Sequence, residues 1–335
     1  MARRLTAQLL AGTPAEDPLA VAQRLLAIQG QDPRGARLAI RARSAGVCAA
    51  DIDRALTEER SLLITTLNRG TLHLIHSEDY PLLQSLTTPQ LRTTSATRLA
   101  QAGLDAAVTD RALRVIERAL AGDGPLPRAA LRERLERAGV PGLEQGMVQL
   151  VFRASIEGLM VRGPMAGRQQ AFTLVRDWLP RSVPPPRDVA LAELARRYLA
   201  GHGPADEHDL ARWAGIGLRD ARAGLSAIAA RLRCLPGGLV ELAATGRAAP
   251  LPAPRLLGAF EPLLLGWTSR REVLGDNAPR IVRGGMFGGF ALAHGRAVAA
   301  WRLAAGAAEI EPFAPLDDQV AAALERDASA LRQFL

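Results

Sequence analysis

The sequence predicts an α+β fold, mainly α, and two observations carry that prediction. The first is internal repetition: LAGDGP at 120–125 recurs as LAGHGP at 199–204. The second is that the surroundings repeat too. A helical run precedes each copy (112–120, 189–199). An Arg-bearing helix follows (127–138, 205–214), then a third amphipathic helix (143–157, 218–232) and a short hairpin-like run (159–175, 233–242). Self-similarity at a long period marks an array of supersecondary units. Three helices followed by a β-hairpin is the plan of a winged helix, whose last helix and wing touch nucleic acid in the helix-turn-helix class.

The first hundred residues read as a diverged third copy. Asp17-Pro18 is an N-cap followed by a first-turn proline. It opens a helix over 18–28 with Leu19, Ala22, Leu25 and Leu26 on one face. That helix ends at Gln29-Gly30-Gln31. Asp32-Pro33 repeats the start signal and opens a second helix over 33–43, and 51–59 is a third. The run 62–67 is β-like, Asn68-Arg69-Gly70 is a turn, and 71–75 returns as a strand. The run 78–107 reads as extra helix. Pro184-Pro185-Pro186 is a stiff linker, and a second Pro-rich join spans 250–254. The tail alternates short β-like runs with glycines over 255–313 and closes on a helix at 317–334. The expected organisation is therefore three tandem winged-helix modules, 1–110 (with the extra helix), 111–183 and 187–250, followed by a small β-rich C-terminal domain at 255–335.

Composition narrows the class. The chain has 335 residues, 48% of them apolar, and a formal charge of +8. A basic balance favours polyanionic partners. Every basic residue is arginine, however, and arginine with abundant alanine also follows from a GC-rich genome. No apolar run approaches the ~18 residues that span a bilayer, so no membrane partner is expected. The N-terminal apolar stretch is too short for a signal peptide, which predicts a cytoplasmic protein. Cys48 and Cys234 lack ligand-spaced partners and read as buried thiols. The absence of lysine removes side-chain Schiff-base chemistry, which needs an amine.

No P-loop, HExxH or GxSxG is present, and no Cys/His set has zinc spacing, so neither a metal nor an organic cofactor is expected. The unusual local feature is Gln29-Gly30-Gln31 at a tight inter-helix junction. Each amide offers an acceptor oxygen and two donor hydrogens. Two of them could hold one water and orient its attack by position and dipole. Equally, both amides could satisfy orphan backbone groups at the helix ends. Arg34, Arg37 and Arg41 share one helix face and are candidates for phosphate contacts; a solvated basic face is the alternative. In the second module, Gln145, Gln149 and Arg153 form a polar stripe that could either face DNA or be a plain exposed face. Val148, Phe152, Ile156 and Leu159 form the expected packing stripe. In the third module, Arg219 and Arg222 occupy similar ground. The hairpin tip at 163–168 joins Met165 to Arg168, and an apolar tip residue can wedge into the minor groove. Arg69 and His73 sit in the first hairpin, where His73 could donate to a phosphate or sugar or be a satisfied structural histidine.

Several blocks carry a family resemblance: IQGQDP at 28–33, LAIRAR at 38–43, NRGTLHLI at 68–75, LLGAFEPLLLGW at 256–267, GRAVAAWRL at 295–303 and IEPFAPL at 310–316. In this order they resemble the bacterial winged-helix DNA glycosylases, the azinomycin-resistance type, over nearly the whole chain. The resemblance implies hydrolysis of the N-glycosidic bond of bulky or cationic alkylpurines in duplex DNA, interstrand cross-links included. Gln29 and Gln31 match the outer positions of that family's catalytic Gln-x-Gln signature. Gly30 stands where the family usually has a hydrophobic residue. Asp32, one position further on, reads as the N-cap. The resemblance also implies a monomer that leaves an abasic site. The rival reading is a non-catalytic winged-helix DNA-binding protein or transcriptional regulator. A protein-interaction scaffold is a third.

Overall fold

In both copies of the repeat the first helix ends at a glycine, and the segment after it pairs with that copy's own hairpin. In one copy, helix Ala106–Asp123 closes on Gly124 at φ +77, a setting that glycine adopts without a Cβ clash. Leu126 then exchanges both backbone hydrogen bonds with Phe172, at 2.9 and 2.8 Å. In the other copy, helix Arg187–His202 ends at Gly203, and Ala205 exchanges the same pair of bonds with Val240, at 3.0 and 2.8 Å. The segment after each repeat therefore lies along its own hairpin as a third strand. Those hairpins are Met160–Ala166 with Gln169–Leu174, and Leu232–Cys234 with Val240–Leu242. Helices Arg128–Arg137 and Leu143–Ile156 complete the first copy; Glu207–Ala214 and Leu218–Ala227 complete the second.

The earlier part of the chain has the same element order. Helices Pro18–Leu25, Pro33–Arg41 and Ala49–Thr57 precede the antiparallel strands Leu62–Leu67 and Thr71–His76, paired from Leu67↔Thr71 to Leu62↔His76. Asp17 and Asp32 cap the first two helices as expected, accepting from the Ala20 and Gly35 amides at 2.7 and 2.6 Å. The run 78–107 is two helices, Tyr80–Thr87 and Leu91–Gln101, rather than one. Pro89, which has no N–H to give, stands between them.

This computed structural model describes residues 1–167 and 169–335. It divides into two units: Met1–Ile52 with Pro186–Leu335, and Asp53–Pro185. One division falls inside helix Ala49–Thr57, the other inside the triproline segment. Among the described residues, no helix is long and apolar enough to cross a membrane.

In the first unit, the tail forms a four-stranded antiparallel sheet in the order Ala307–Pro312, Arg296–Ala304, Gly289–Ala293, Arg255–Leu257. Helix Asp318–Phe334 closes on it; Asp327 accepts the Leu256 amide at 2.7 Å. Segment 256–268 docks on the third winged helix. Trp267 donates to the carbonyl of His202 at 2.9 Å, and Asp209 accepts both the amide and hydroxyl of Thr268 at 2.8 Å. Deeper in, Arg43 and Glu261 form a fully buried ion pair. The Arg43 guanidinium also donates to the Gln8 carbonyl, the Gln8 side-chain oxygen and the Ala39 carbonyl, each at 2.8 Å.

The second unit has its own core, built from helices Ala106–Asp123, Arg128–Arg137 and Leu143–Ile156 and the hairpin behind them. Here two expectations are corrected. The packing stripe of Leu143–Ile156 is Leu143, Met147, Leu150, Val151 and Ala154, with Ile156 buried as expected, but Val148 is 56% exposed. The apolar arc lies one position away from the predicted one, so Gln145 and Val148 share the outer face. In the first unit, Cys48 and Cys234 are free thiols but exposed, not buried. Cys48 precedes a helix, where its amide donates to Asp51 at 2.8 Å, and Cys234 lies on a three-residue wing strand.

Removing one partner of a buried ion pair strands the other charge, at about 3–5 kcal/mol. Glu261→Ala is expected to lower unfolding stability by that amount in urea denaturation. An exposed control, Glu309→Ala, should change it by less than about 1 kcal/mol.

Candidate active site and nucleic-acid interface

The junction that carries Gln29 and Gln31 is made by two sharp local events. Leu26 takes φ +62 after helix Pro18–Leu25 and turns the chain, so Ile28–Gln29 runs extended. Asp32 then caps the next helix. Gln29 is 8% exposed, Gly30 is buried and Gln31 is exposed, so the motif runs from the interior to the surface within three residues. The carboxylate of Asp32 is held by the Gly35 amide, which supports its reading as a cap.

The helix start is seated by a glycine pair. A Cβ at Gly35 would lie 2.3 Å from the Ala259 carbonyl oxygen, and one at Gly258 would lie 3.1 Å from the Gly35 Cα. Tail segment 258–261 therefore runs against the first turn after Gln31. The three arginines of this helix separate in role. Arg34 is exposed. Arg37 donates to the Pro33 carbonyl at 2.8 Å. Arg41 is drawn from the shared face into a two-point pair with Asp327, at 2.8 and 3.3 Å, and also donates to the Asp327 carbonyl at 3.0 Å. That guanidinium ties the closing helix to the module instead of facing a phosphate.

The same tail segment supports a feature the sequence reading missed. Strands Val282–Arg283 and Met286–Phe287 form a two-residue hairpin on Gly284-Gly285, both glycines at positive φ (+55 and +83) as tight hairpin turns require. Phe287 packs on Phe260 at 5.7 Å between ring centroids, and the Arg270 guanidinium lies over the Phe287 ring at 5.0 Å. Met286, at the tip, is 62% exposed. The signal was present in the sequence: Gly-Gly between the short runs Ile281-Val282-Arg283 and Met286-Phe287 is a hairpin pattern.

In the second unit, the turn Asn68–Gly70 lies against helix Leu143–Ile156. A Cβ at Gly70 would stand 3.1 Å from Phe152. This brings half-buried Arg69, at φ +58, towards the face that carries Gln149 and Arg153. Gln149 is half-buried, with its side-chain oxygen unpaired. Arg153 does not stand alone: its Nε lies 2.8 Å from Glu157, which also pairs with Arg92 at 2.9 Å. Asn68 is fully buried, with both side-chain polar atoms unpaired. Met165 is 49% exposed at its wing tip, paired with Gln170. Arg168 lies outside the described residues. The expected site residues thus fall into two sets: Gln29, Gln31, Arg34, Arg37 and Arg41 in the first unit; Arg69, His73, Gln149, Arg153 and Met165 in the second. Among the described residues, no cluster of three or more His, Cys, Asp or Glu side chains could hold a metal ion.

His73 is buried, with Nδ1 3.0 Å from the Thr71 carbonyl oxygen. An acceptor there requires the proton on Nδ1, which leaves Nε2 as a lone pair. Burial first, then the nearby Arg69 charge, hold its pKa down at about 3 against the bond to Thr71, which raises it. The ring is therefore neutral near pH 7 and presents an acceptor at Nε2, which favours the structural histidine over the phosphate donor among the two readings of the sequence. The unfolded chain protonates near pH 6.5 while the folded one resists. The stabilisation is thus complete above pH 6.5 and declines as pH falls towards 3. Urea midpoints recorded from pH 7 to 4 should fall less steeply in His73→Gln than in the wild type.

No curated protein sequence matches the chain. Among solved structures, it is similar to Streptomyces sahachiroi DNA glycosylase AlkZ, with a TM-score of 0.81 at 23% identity, over 98% of this chain and 94% of that one. That likeness bears on the fold: a mainly helical α+β chain of three winged helices with a β-rich tail. The family described as DNA glycosylase AlkZ-like matches residues 22–334. This match spans all three winged helices, the Gln-x-Gln junction and the tail that seats it, so the chain belongs to the AlkZ-like DNA glycosylase family and is a DNA N-glycosylase.

Proposed function

We propose that the chain hydrolyses the N-glycosidic bond of bulky, cationic alkylpurines in duplex DNA, cross-linked bases included, with Gln29 and Gln31 orienting the water. The observation that carries this reading is the fixed role of Asp32. With its carboxylate on the Gly35 amide, the junction offers two neutral amides and no second free carboxylate from the motif itself. Such a pair suits a substrate that is already activated. Alkylation at N7 or N3 puts a positive charge on the purine, so the base departs with the glycosidic electron pair and becomes neutral. The sugar develops oxocarbenium character. A water oxygen held by the two amides adds to C1′ and its proton passes to solvent. The products are the free alkylpurine and an abasic site. With no lysine in the chain, strand cleavage through a lysine Schiff base does not follow.

The rest of the reading concerns grip. Arg34 and Arg37 lie next to the Gln pair and suit the flanking phosphates. On the second unit, Arg69, Gln149 and Arg153 are proposed phosphate contacts of their own. The four-part organisation 1–110, 111–183, 187–250 and 255–335 belongs to the same proposal, as do monomeric action and a cytoplasmic setting. Side-chainless Gly30 favours one rival, a protein that binds damaged DNA without turnover.

The test is release of N7-methylguanine, and of a bulkier N7 adduct, from duplex DNA. Gln29→Ala and Gln31→Ala should each lower kcat by about 10²-fold, the scale for losing one positioned transition-state dipole, with DNA affinity retained. Tight binding with no release from the wild type would install the non-catalytic rival. Met286, exposed at a hairpin tip like Met165, is a second candidate for a groove wedge: Met286→Ala should weaken lesion-duplex binding by roughly five-fold, the scale of a partly buried methionine, with Tm unchanged. Met165→Ala measured alongside tells which hairpin enters the groove; equal, unchanged affinities would dismiss both.

A further inference from the structure

The two copies of the repeat differ at one corner. Leu126 and Ala205 are equivalent, each bridging its own wing, so Pro127 matches Asp206, Arg128 matches Glu207, and Arg162, opposite Phe172, matches Cys234, opposite Val240. In the third module, Asp206 caps its helix by accepting the Asp209 amide at 2.8 Å. In the second, Pro127 provides no side-chain cap, so the first amides of the ten-residue helix Arg128–Arg137 have no side-chain acceptor there. Arg128 is exposed at that helix start. Extended Pro127 (φ −69, ψ 161) puts Arg128 on the sheet face of Leu126, the face Arg162 shares through Phe172.

Arg162 is half-buried, and its Nε is buried with no hydrogen-bond partner. Its guanidinium is held below its ordinary range by burial and then by the charge of Arg128. Among the described residues, neither arginine has an ion-pair partner. Two guanidiniums on one sheet face, beside uncapped amides, are unfavourable in the free protein unless an anion joins them. The bidentate donor geometry of arginine suits phosphate oxygens, and a helix start adds N–H donors.

We propose that Arg128, Arg162 and the first amides of helix Arg128–Arg137 form a phosphate site at the root of the second module's wing, taking one phosphodiester of the DNA backbone. This rests on the DNA-glycosylase reading for its ligand. Met165 lies three residues further along the same strand, so the wing root would hold backbone while the tip reaches the groove.

The experiment is binding of a fluorescein-labelled undamaged duplex to the full chain between about 50 and 200 mM NaCl. Wild type is compared with Arg128→Gln, Arg162→Gln and the double variant. Each single variant should flatten the slope of log Kd against log salt by about 0.9, and the double variant by no more, because one phosphate is lost in all three. In the absence of DNA, Arg162→Gln should melt above the wild type, since it removes an unpaired, partly desolvated charge; a residue that only supports the fold would do the reverse. Normal wild-type binding with unchanged slopes in all three variants overturns the site and leaves the glycosylase reading standing. No salt-dependent binding by the wild type overturns both. A second arm adds inorganic phosphate at constant ionic strength. An Arg162-dependent rise in Tm without any change in DNA slope would assign the site to a free phosphate and overturn the backbone assignment.

Discussion

The buried pair Arg43–Glu261 is the constraint on which the first unit depends. Arg43 follows the helix that starts at the glutamine motif, Gln8 follows the N-terminal helix Ala2–Ala7, and Glu261 belongs to the tail. One guanidinium thus joins three stretches distant in sequence. Glu261 also accepts the Leu263 amide at 3.2 Å and so starts the short helix Pro262–Leu265. Charges buried this deeply are tolerated only when they are paired and hydrogen-bonded. The register of segment 258–261 is fixed by it, and both the Gly35 contact and the Phe260–Phe287 stack follow. The glutamine junction and the Met286 hairpin therefore share one support, though they lie more than 250 residues apart in the chain.

Local signals were legible. Asp-Pro pairs announced two capped helices, the repeat announced two like modules, and Asn68-Arg69-Gly70 announced a turn. Each is decided within a few residues, where backbone sterics and short hydrogen bonds dominate. The family blocks located Gln29 and Gln31, and the structure places both at one strand-to-helix junction.

What stayed hidden was decided at a distance. Val148 and Met147 are both apolar, so helical periodicity admitted either stripe, and only the rest of the core chose between them. Arg41 seemed one of three equivalent arginines until a partner 286 residues away engaged it. His73 carried no sign of its burial, because a strand histidine reads the same on either face. The Gly284-Gly285 hairpin was written plainly, but nothing local says that its base leans on Phe260. Exposure of the two cysteines was missed for a similar reason: small apolar residues are usually internal, yet both fall on short connecting elements.

In the third winged helix one wing carboxylate is turned inward. Glu241, 1% exposed, is gripped by Arg3 and Arg233, and the Arg4 guanidinium covers Trp267 of the docked tail. Its helix start is already filled by the carboxylate of Asp206. Two repeats of one architecture therefore carry opposite signs at the same corner, and the difference gives the chain a polarity. On the proposed phosphate site, the helix start of the second module attracts a backbone phosphate, while the carboxylates at the matching helix start of the third module repel one.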